Sequence, residues 1–151
     1  MIHQATIDIP CDLLDLHALE PGRYPHLLDS CASGPQGRYD ILFACPGDSI
    51  VLRNIDSFDF LAALEDAWRS ARCSDVPATA VPFYGGWFLY LGYELAGQIE
   101  PVLKLPADSS GLPIACATRF PAAVIIDRHR EQGFIVSEQP HLIDAIRADI
   151  A

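Results

Sequence analysis

The stretch Pro82–Pro101, PFYGGWFLYLGYELAGQIEP, constrains the fold of this chain more than any other. A proline and an aromatic pair lead into two adjacent glycines, and an uncharged run from Trp87 to Tyr93 follows, broken only by Gly92. A short apolar run bounded by glycines predicts a strand buried on both faces. Gly85 and Gly86 can take positive φ, which predicts a bulge where the strand starts and a close approach of other groups. Gly92 ends the run, and Glu94–Ile99 predicts a short helix.

A core strand needs a chain able to bury it. With 151 residues, half of them hydrophobic and a fifth charged, the sequence supports one ordinary globular domain. The net charge is -10, and the ten basic residues are scattered. Nucleic acid and anionic membrane surfaces both require clustered cations, so neither is an expected partner. Cys11, Cys31, Cys45, Cys73 and Cys116 are odd in number, widely spaced and free of any C-x-x-C pair. That argues for reduced thiols and a cytoplasmic setting over a disulfide framework or zinc site. No basic-then-apolar leader opens the chain, and the uncharged run Val76–Tyr93 is too interrupted by Pro and Gly to span a bilayer.

Along the chain, Gln4–Ile9 alternates as a strand, and Cys11–Leu19 is leucine-rich with Asp12 near its start, which predicts a short helix. His26–Ser30 reads as a compact strand and Ser33–Gly37 as a loop. Arg38–Cys45 alternates, Tyr39, Ile41, Phe43 and Cys45 pointing one way and Arg38, Asp40, Leu42 and Ala44 the other. Pro46-Gly47-Asp48 predicts a turn, and Ser49–Arg53 an antiparallel partner strand. Ser57–Arg72 is the strongest helix, with Ser57 as its cap and an apolar stripe of Phe60, Leu61, Leu64, Ala67, Trp68 and Ala71. Trp68 is expected in the core. Cys73–Val81 reads as a linker and Leu105–Pro113 as a loop. Ile114–Thr118 and Ala122–Ile126 are strand material, and the latter forms a second hairpin with Phe134–Ser137 across a charged turn, Asp127–Gly133, in which His129 is expected to be solvated. His141–Ala151 is helical and stops without a cap, as expected of a domain cut from a longer chain.

Chemistry-bearing patterns are sparse. There is no H-E-x-x-H, no phosphate loop and no G-x-S-x-G elbow. Cys31, beside the Ser33–Gly37 loop, is the one thiol placed to be considered as a nucleophile. Ser30, Asp29, Arg38 and Asp40 gather a hydroxyl, carboxylates and a guanidinium near one loop, suited either to a zwitterion such as an amino acid or to a strand-end serine beside an ordinary surface ion pair.

Several stretches, in order, resemble one family. His26-Leu27-Leu28-Asp29-Ser30 is similar to the LLES-type segment of anthranilate synthase component I and aminodeoxychorismate synthase component I. Gly37-Arg38-Tyr39-Asp40-Ile41 resembles the strand that follows in that family. Pro82-Phe83-Tyr84-Gly85-Gly86 through Leu91-Gly92-Tyr93-Glu94-Leu95 resembles its PF-x-GG…GY-[DE]-L signature, and Ala123–Asp127 its next hairpin. The resemblance implies that residues 1–151 are the N-terminal domain of an anthranilate synthase component I-like protein. The implied fold is α+β, an antiparallel sheet core with a few packed helices, incomplete without a C-terminal chorismate-binding domain that is absent from this chain.

By the same resemblance the parent enzyme aminates chorismate with ammonia from a glutamine amidotransferase subunit. The Mg2+ ligands and acid–base groups belong to the absent domain, so no catalytic residue and no metal site is expected here. Ser30, Gly37, Arg38 and Tyr39 match positions around a tryptophan pocket. Gly85, Gly86, Gly92, Tyr93 and Glu94 are its structural signature. Asp29 stands for the family's glutamate, Gln36 for an aromatic and Leu89 for a common glycine. The short lead before Leu27 and the compact loops favour aminodeoxychorismate synthase, of the folate and para-aminobenzoate pathway. Anthranilate synthase component I is the alternative. A free-standing ligand-binding or interaction module and a small Cys31-dependent enzyme are the readings outside this family. A domain without its partner is also expected to expose an apolar face, through which copies of the chain could pair as homodimers.

Overall fold

The computed structural model describes residues 1–8, 12–31, 37–72, 81–103, 105–106 and 111–151. Ile9, Cys11, the expected loop residues Ser33–Gln36, the expected linker Cys73–Ala80 and the middle of the expected loop Leu105–Pro113 lie outside them. The elements in chain order are β1 (His3–Ile7), α1 (Leu13–Leu19), β2 (His26–Leu28), β3 (Tyr39–Ala44), β4 (Ser49–Leu52), α2 (Phe60–Ala71), β5 (Gly86–Leu91), a 3-10 turn (Tyr93–Leu95), α3 (Ala96–Ile99), β6 (Ala115–Phe120), β7 (Ala122–Asp127), β8 (Gln132–Ser137) and α4 (Pro140–Ile150). The fold is α+β with antiparallel sheets, and the chain divides into two compact units.

The first unit comprises residues 1–47, 73–86 and 120–151. Its five-stranded sheet runs β1-β8-β7-β3-β2, with every described pairing antiparallel. The alternation read in β3 is realised. Leu42 and Ala44 join Val124 and Ile135 on the face covered by Leu13 and Leu16 of α1 and Ile143 and Ile146 of α4. Tyr39 and Ile41 join Ala123, Ile125, Phe134 and Val136 on the other face, beneath Val81, Phe83 and Tyr84. With both faces covered, β7 at the sheet centre must be apolar almost throughout, and its AAVIID sequence is. The β7–β8 hairpin forms as expected, Ile125 opposite Phe134. Asp12 caps α1, its carboxylate accepting from the Leu14 N–H at 2.9 Å. At the far end Asp149 of α4 accepts from the Tyr24 hydroxyl at 2.6 Å and from the Arg23 guanidinium at 2.5 Å, fastening the last turn of the helix to the loop before β2.

The second unit, residues 48–72 and 87–119, holds the three-stranded sheet β4-β6-β5 and α2. Its core is small: Leu52, Phe60, Leu95, Ala115 and Ala117, flanked by Ile50, Ile55, Leu64 and Trp87.

Four expectations are corrected. β3 and β4 do not form a hairpin: β3 pairs with β2 and β7, and β4 with β6. Between them Cys45 takes φ 60°, its N–H donates to the Arg23 carbonyl at 2.7 Å, and Pro46 has no N–H for a ladder. The α2 cap is Asp59, whose carboxylate accepts from the Ala62 N–H at 3.0 Å. The Ser57 hydroxyl instead donates back to the Asn54 carbonyl. β5 is not buried on both faces. It is an edge strand, with Leu89 44% and Leu91 51% exposed. Trp68 is 49% exposed rather than in the core, its ring covered on one side by the Arg72 guanidinium. Leu61, Trp68 and Leu89 thus line an open apolar groove on this unit.

Candidate functional site

The residues singled out for ligand contact lie at one end of β2, β3 and β7. Ser30 follows β2. Its hydroxyl donates to the Tyr39 carbonyl at 2.6 Å, and its N–H donates to Asp40 Oδ1 at 2.8 Å. With its proton committed to the strand, the Ser30 oxygen can meet a further polar group only as an acceptor. Gly37 is buried directly ahead of β3. Arg38 does not pair with Asp40 as a surface ion pair. Its guanidinium grips Asp127 through two bonds, Nε–Oδ1 at 3.0 Å and Nη2–Oδ2 at 2.6 Å, and lies over the Tyr39 ring at 4.7 Å. Asp40 is held instead by Arg128, whose Nε donates at 2.6 Å and whose Nη2 reaches Asp29 at 2.5 Å.

The unforeseen member of this constellation is Asp127. It is 1% exposed, and besides Arg38 it accepts from the His129 and Arg130 N–H groups at 3.1 and 3.3 Å. The Arg38 guanidinium foremost, and then these backbone donors, outweigh burial and hold its carboxyl below the usual carboxylate range. In the sequence Asp127 was only the start of a charged turn. A signal was present: an aspartate ending an otherwise apolar strand needs a partner. The partner lies 89 residues away, which sequence order cannot supply.

Asp40, which accepts from the Ser30 N–H, lines a cavity of about 210 Å3 together with Asp12, Leu13, Leu27, Asp29 and Arg128 among others. Its one guanidinium is committed to Asp29 and Asp40, so the lining is net negative and suits an ammonium group. Its volume lies below the roughly 300 Å3 at which ligand pockets usually begin. Ser30, Gly37, Arg38 and Tyr39 brace the wall rather than line the cavity. Among the described residues no group of three or more His, Cys, Asp or Glu could hold a metal ion. Cys31 is exposed, its thiol 3.8 Å from Asp29 Oδ2. No helix of the described residues is long and apolar enough to cross a membrane.

The signature glycines have local causes. Gly85 adopts φ +119°, and a Cβ there would collide with the Glu138 carboxylate, which occupies that space. Gly86 has ordinary φ and lies against the Phe83 ring. At Gly92 the N–H donates to the Ile114 carbonyl at 2.8 Å, and a Cβ would press on the same oxygen. Tyr93 is 80% exposed, and Glu94 lines a second cavity.

This chain folds like a known enzyme segment. Its fold is similar to that of anthranilate synthase component I from Streptococcus pneumoniae TIGR4, with a TM-score of 0.60 at 18% identity over 94% of this chain. The chain spans 35% of the length of that neighbour. No family model and no curated protein matches the sequence. At this identity the likeness establishes the α+β fold.

A pH dependence follows from two paired carboxylates, the buried Asp127 and the half-buried Asp149. Asp149, held down chiefly by the Tyr24 hydroxyl and also by Arg23, behaves like Asp127. Both folded-state values lie below the unfolded value of about 3.9. Each therefore contributes stability that is complete above that value and is lost as pH falls through the folded one. Urea midpoints measured from pH 7 down to pH 3 are expected to fall steeply below about pH 4. The Asp127→Ala, Asp149→Ala double variant is expected to show a much shallower acid limb. Parallel curves would refute the assignment.

Proposed function

We propose that this chain is the non-catalytic N-terminal domain of a chorismate-aminating enzyme of the component I type. The parent reaction replaces a hydroxyl of chorismate with ammonia released by a glutamine amidotransferase subunit, giving 4-amino-4-deoxychorismate. The observation that carries the reading is the coincidence of two independent likenesses. The PFYGG…LGYEL stretch and the LLDS and GRYDI segments occur in the family's order, and the fold resembles component I over nearly the whole chain. On this reading the Mg2+ ligands and acid–base groups lie in a chorismate-binding domain. The cavity beside Ser30 is then half of an amino-acid pocket. Asp29 and Asp40 favour the ammonium of tryptophan, and Ser30, Gly37, Arg38 and Tyr39 brace the wall that carries them. Anthranilate synthase component I is consistent with the same fold.

The test is an amination assay. The chain alone, given chorismate, ammonium and Mg2+, is expected to form no product. Joined with the chorismate-binding domain of its own reading frame, it is expected to give 4-amino-4-deoxychorismate by chromatography. Anthranilate, detected by fluorescence, would select the alternative. A reading frame lacking that domain would sink both. Calorimetry with tryptophan is expected to be silent for the isolated chain, because its cavity of about 210 Å3 is too small to enclose the ligand. Saturable heat would instead favour a free-standing ligand-binding module.

A further inference from the structure

A second cavity, lined by residues of the second unit, is chemically distinct. It measures about 720 Å3, within the usual range for small-molecule sites. Its lining sets Arg53, Asp56 and Glu94 beside an apolar wall that includes Leu103, Leu112 and Pro113.

Arg53 stands apart from the other arginines. Arg23, Arg38, Arg69, Arg128, Arg130 and Arg147 are each paired with a carboxylate, and Arg72 and Arg119 lie over tryptophan rings. Among the described residues Arg53 alone has neither kind of partner, and it faces the cavity. Asp56 and Glu94 also form no ion pair there. Three charges of mixed sign thus line one hollow, half polar and half apolar, with no ion pair among them.

The rim that carries them is fixed before any ligand arrives. The Gln98 amide accepts from the Phe60 N–H at 3.1 Å and donates to the Ile55 and Phe58 carbonyls, both at 2.7 Å, binding the Ile55–Phe60 segment to α3. The Asp56 N–H donates to Asn54 Oδ1 at 3.1 Å. On the other wall the Ile114 N–H donates to the Leu52 carbonyl at 2.8 Å, and its own carbonyl accepts from Gly92.

We infer that this cavity is a binding site for a small zwitterion with an apolar body, of the amino-acid class, distinct from the hollow beside Ser30. A plain carboxylate would satisfy Arg53 but face two like charges on an already acidic protein. A plain amine would leave the guanidinium unmatched. A molecule carrying both groups pairs its carboxylate with Arg53 and its ammonium with Asp56 and Glu94, while its side chain covers the leucine and proline wall. The inference does not depend on the chorismate reading.

The test is a nitrogen-15 NMR titration of the chain with L-phenylalanine, using 3-phenylpropanoate and phenethylamine as single-charge analogues. Saturable shifts are expected in the Arg53–Asp56 and Glu94–Gly97 amides, with each analogue weaker by about tenfold or more. Arg53→Gln is expected to weaken binding by at least about tenfold and Glu94→Gln by a lesser factor. Gly97→Leu plugs the cavity without removing a charge. A Cβ at Gly97 meets only Ile55, at 3.9 Å, so this variant is expected to fold and lose binding. No saturable shift at millimolar ligand would overturn the site, as would shifts clustered at Ser30 or unchanged binding by a folded Arg53→Gln protein. Equal binding of 3-phenylpropanoate would overturn the zwitterion.

Discussion

Replacing Asp127 by alanine is expected to destabilise the protein by about 3 kcal/mol, the range found when one partner of a buried ion pair is removed. The side chain is 2% exposed, whereas Arg38 is 30% exposed. Part of the guanidinium can be rehydrated, which keeps the loss at the lower end. The other part of the loss is backbone: the His129 and Arg130 N–H groups lose the acceptor that closes the β7–β8 turn. For a chain of this size the melting temperature should fall by about 10 °C. Asp127→Asn keeps an acceptor for the turn and should lose less. Urea denaturation of both variants at pH 7 measures the difference. A loss below about 1 kcal/mol for alanine would show the pair to be an ordinary surface bridge.

Phe60→Ala is expected to be at least as severe, at about 3–5 kcal/mol. Phe60 is fully buried and opens α2, and its N–H is held by Gln98. The reason for the size is the smallness of the second core, where the other fully buried residues are Leu52 and two alanines. There is little apolar volume to collapse into the cavity. Leu61→Ala, one residue on and 40% exposed, should cost well under about 1 kcal/mol. Amide hydrogen exchange checks the location: protection of the β4–β6 ladder should fall in Phe60→Ala while the β7–β8 ladder keeps most of its own. Equal loss in both ladders would show that the two units unfold as one.

Element type was legible wherever a local pattern sufficed. The helices at 13–19, 60–71 and 140–150 and most of the strands follow from periodicity, and the α+β class was implied by the family resemblance. Strand partnership was less so. The PGD turn after Ala44 looked like a hairpin, but β3 found its partners in β2 and β7, because Cys45 and Pro46 remove the ladder donors there. The uncharged run Trp87–Leu91 and the apolar run Ala122–Asp127 look alike as letters. One is an edge strand with exposed leucines and the other is the centre of the larger sheet.

The candidate site divides in the same way. Ser30, Arg38, Tyr39 and the double glycine were marked by the sequence alone, through the ordered resemblance of short segments. What each side chain touches was decided only by tertiary contacts. Arg38, just ahead of β3, and Asp40, two residues on, pair with Asp127 and Arg128 respectively, since each must neutralise a charge at a distant point in the chain. Gly85 is required by Glu138, 53 residues later. The sequence determined which residues are apolar, where the chain must turn and which segments carry a family's order. Only the tertiary structure decided which charges are neutralised and which, as at Arg53, are left facing a cavity, because pairing depends on distances that folding alone creates.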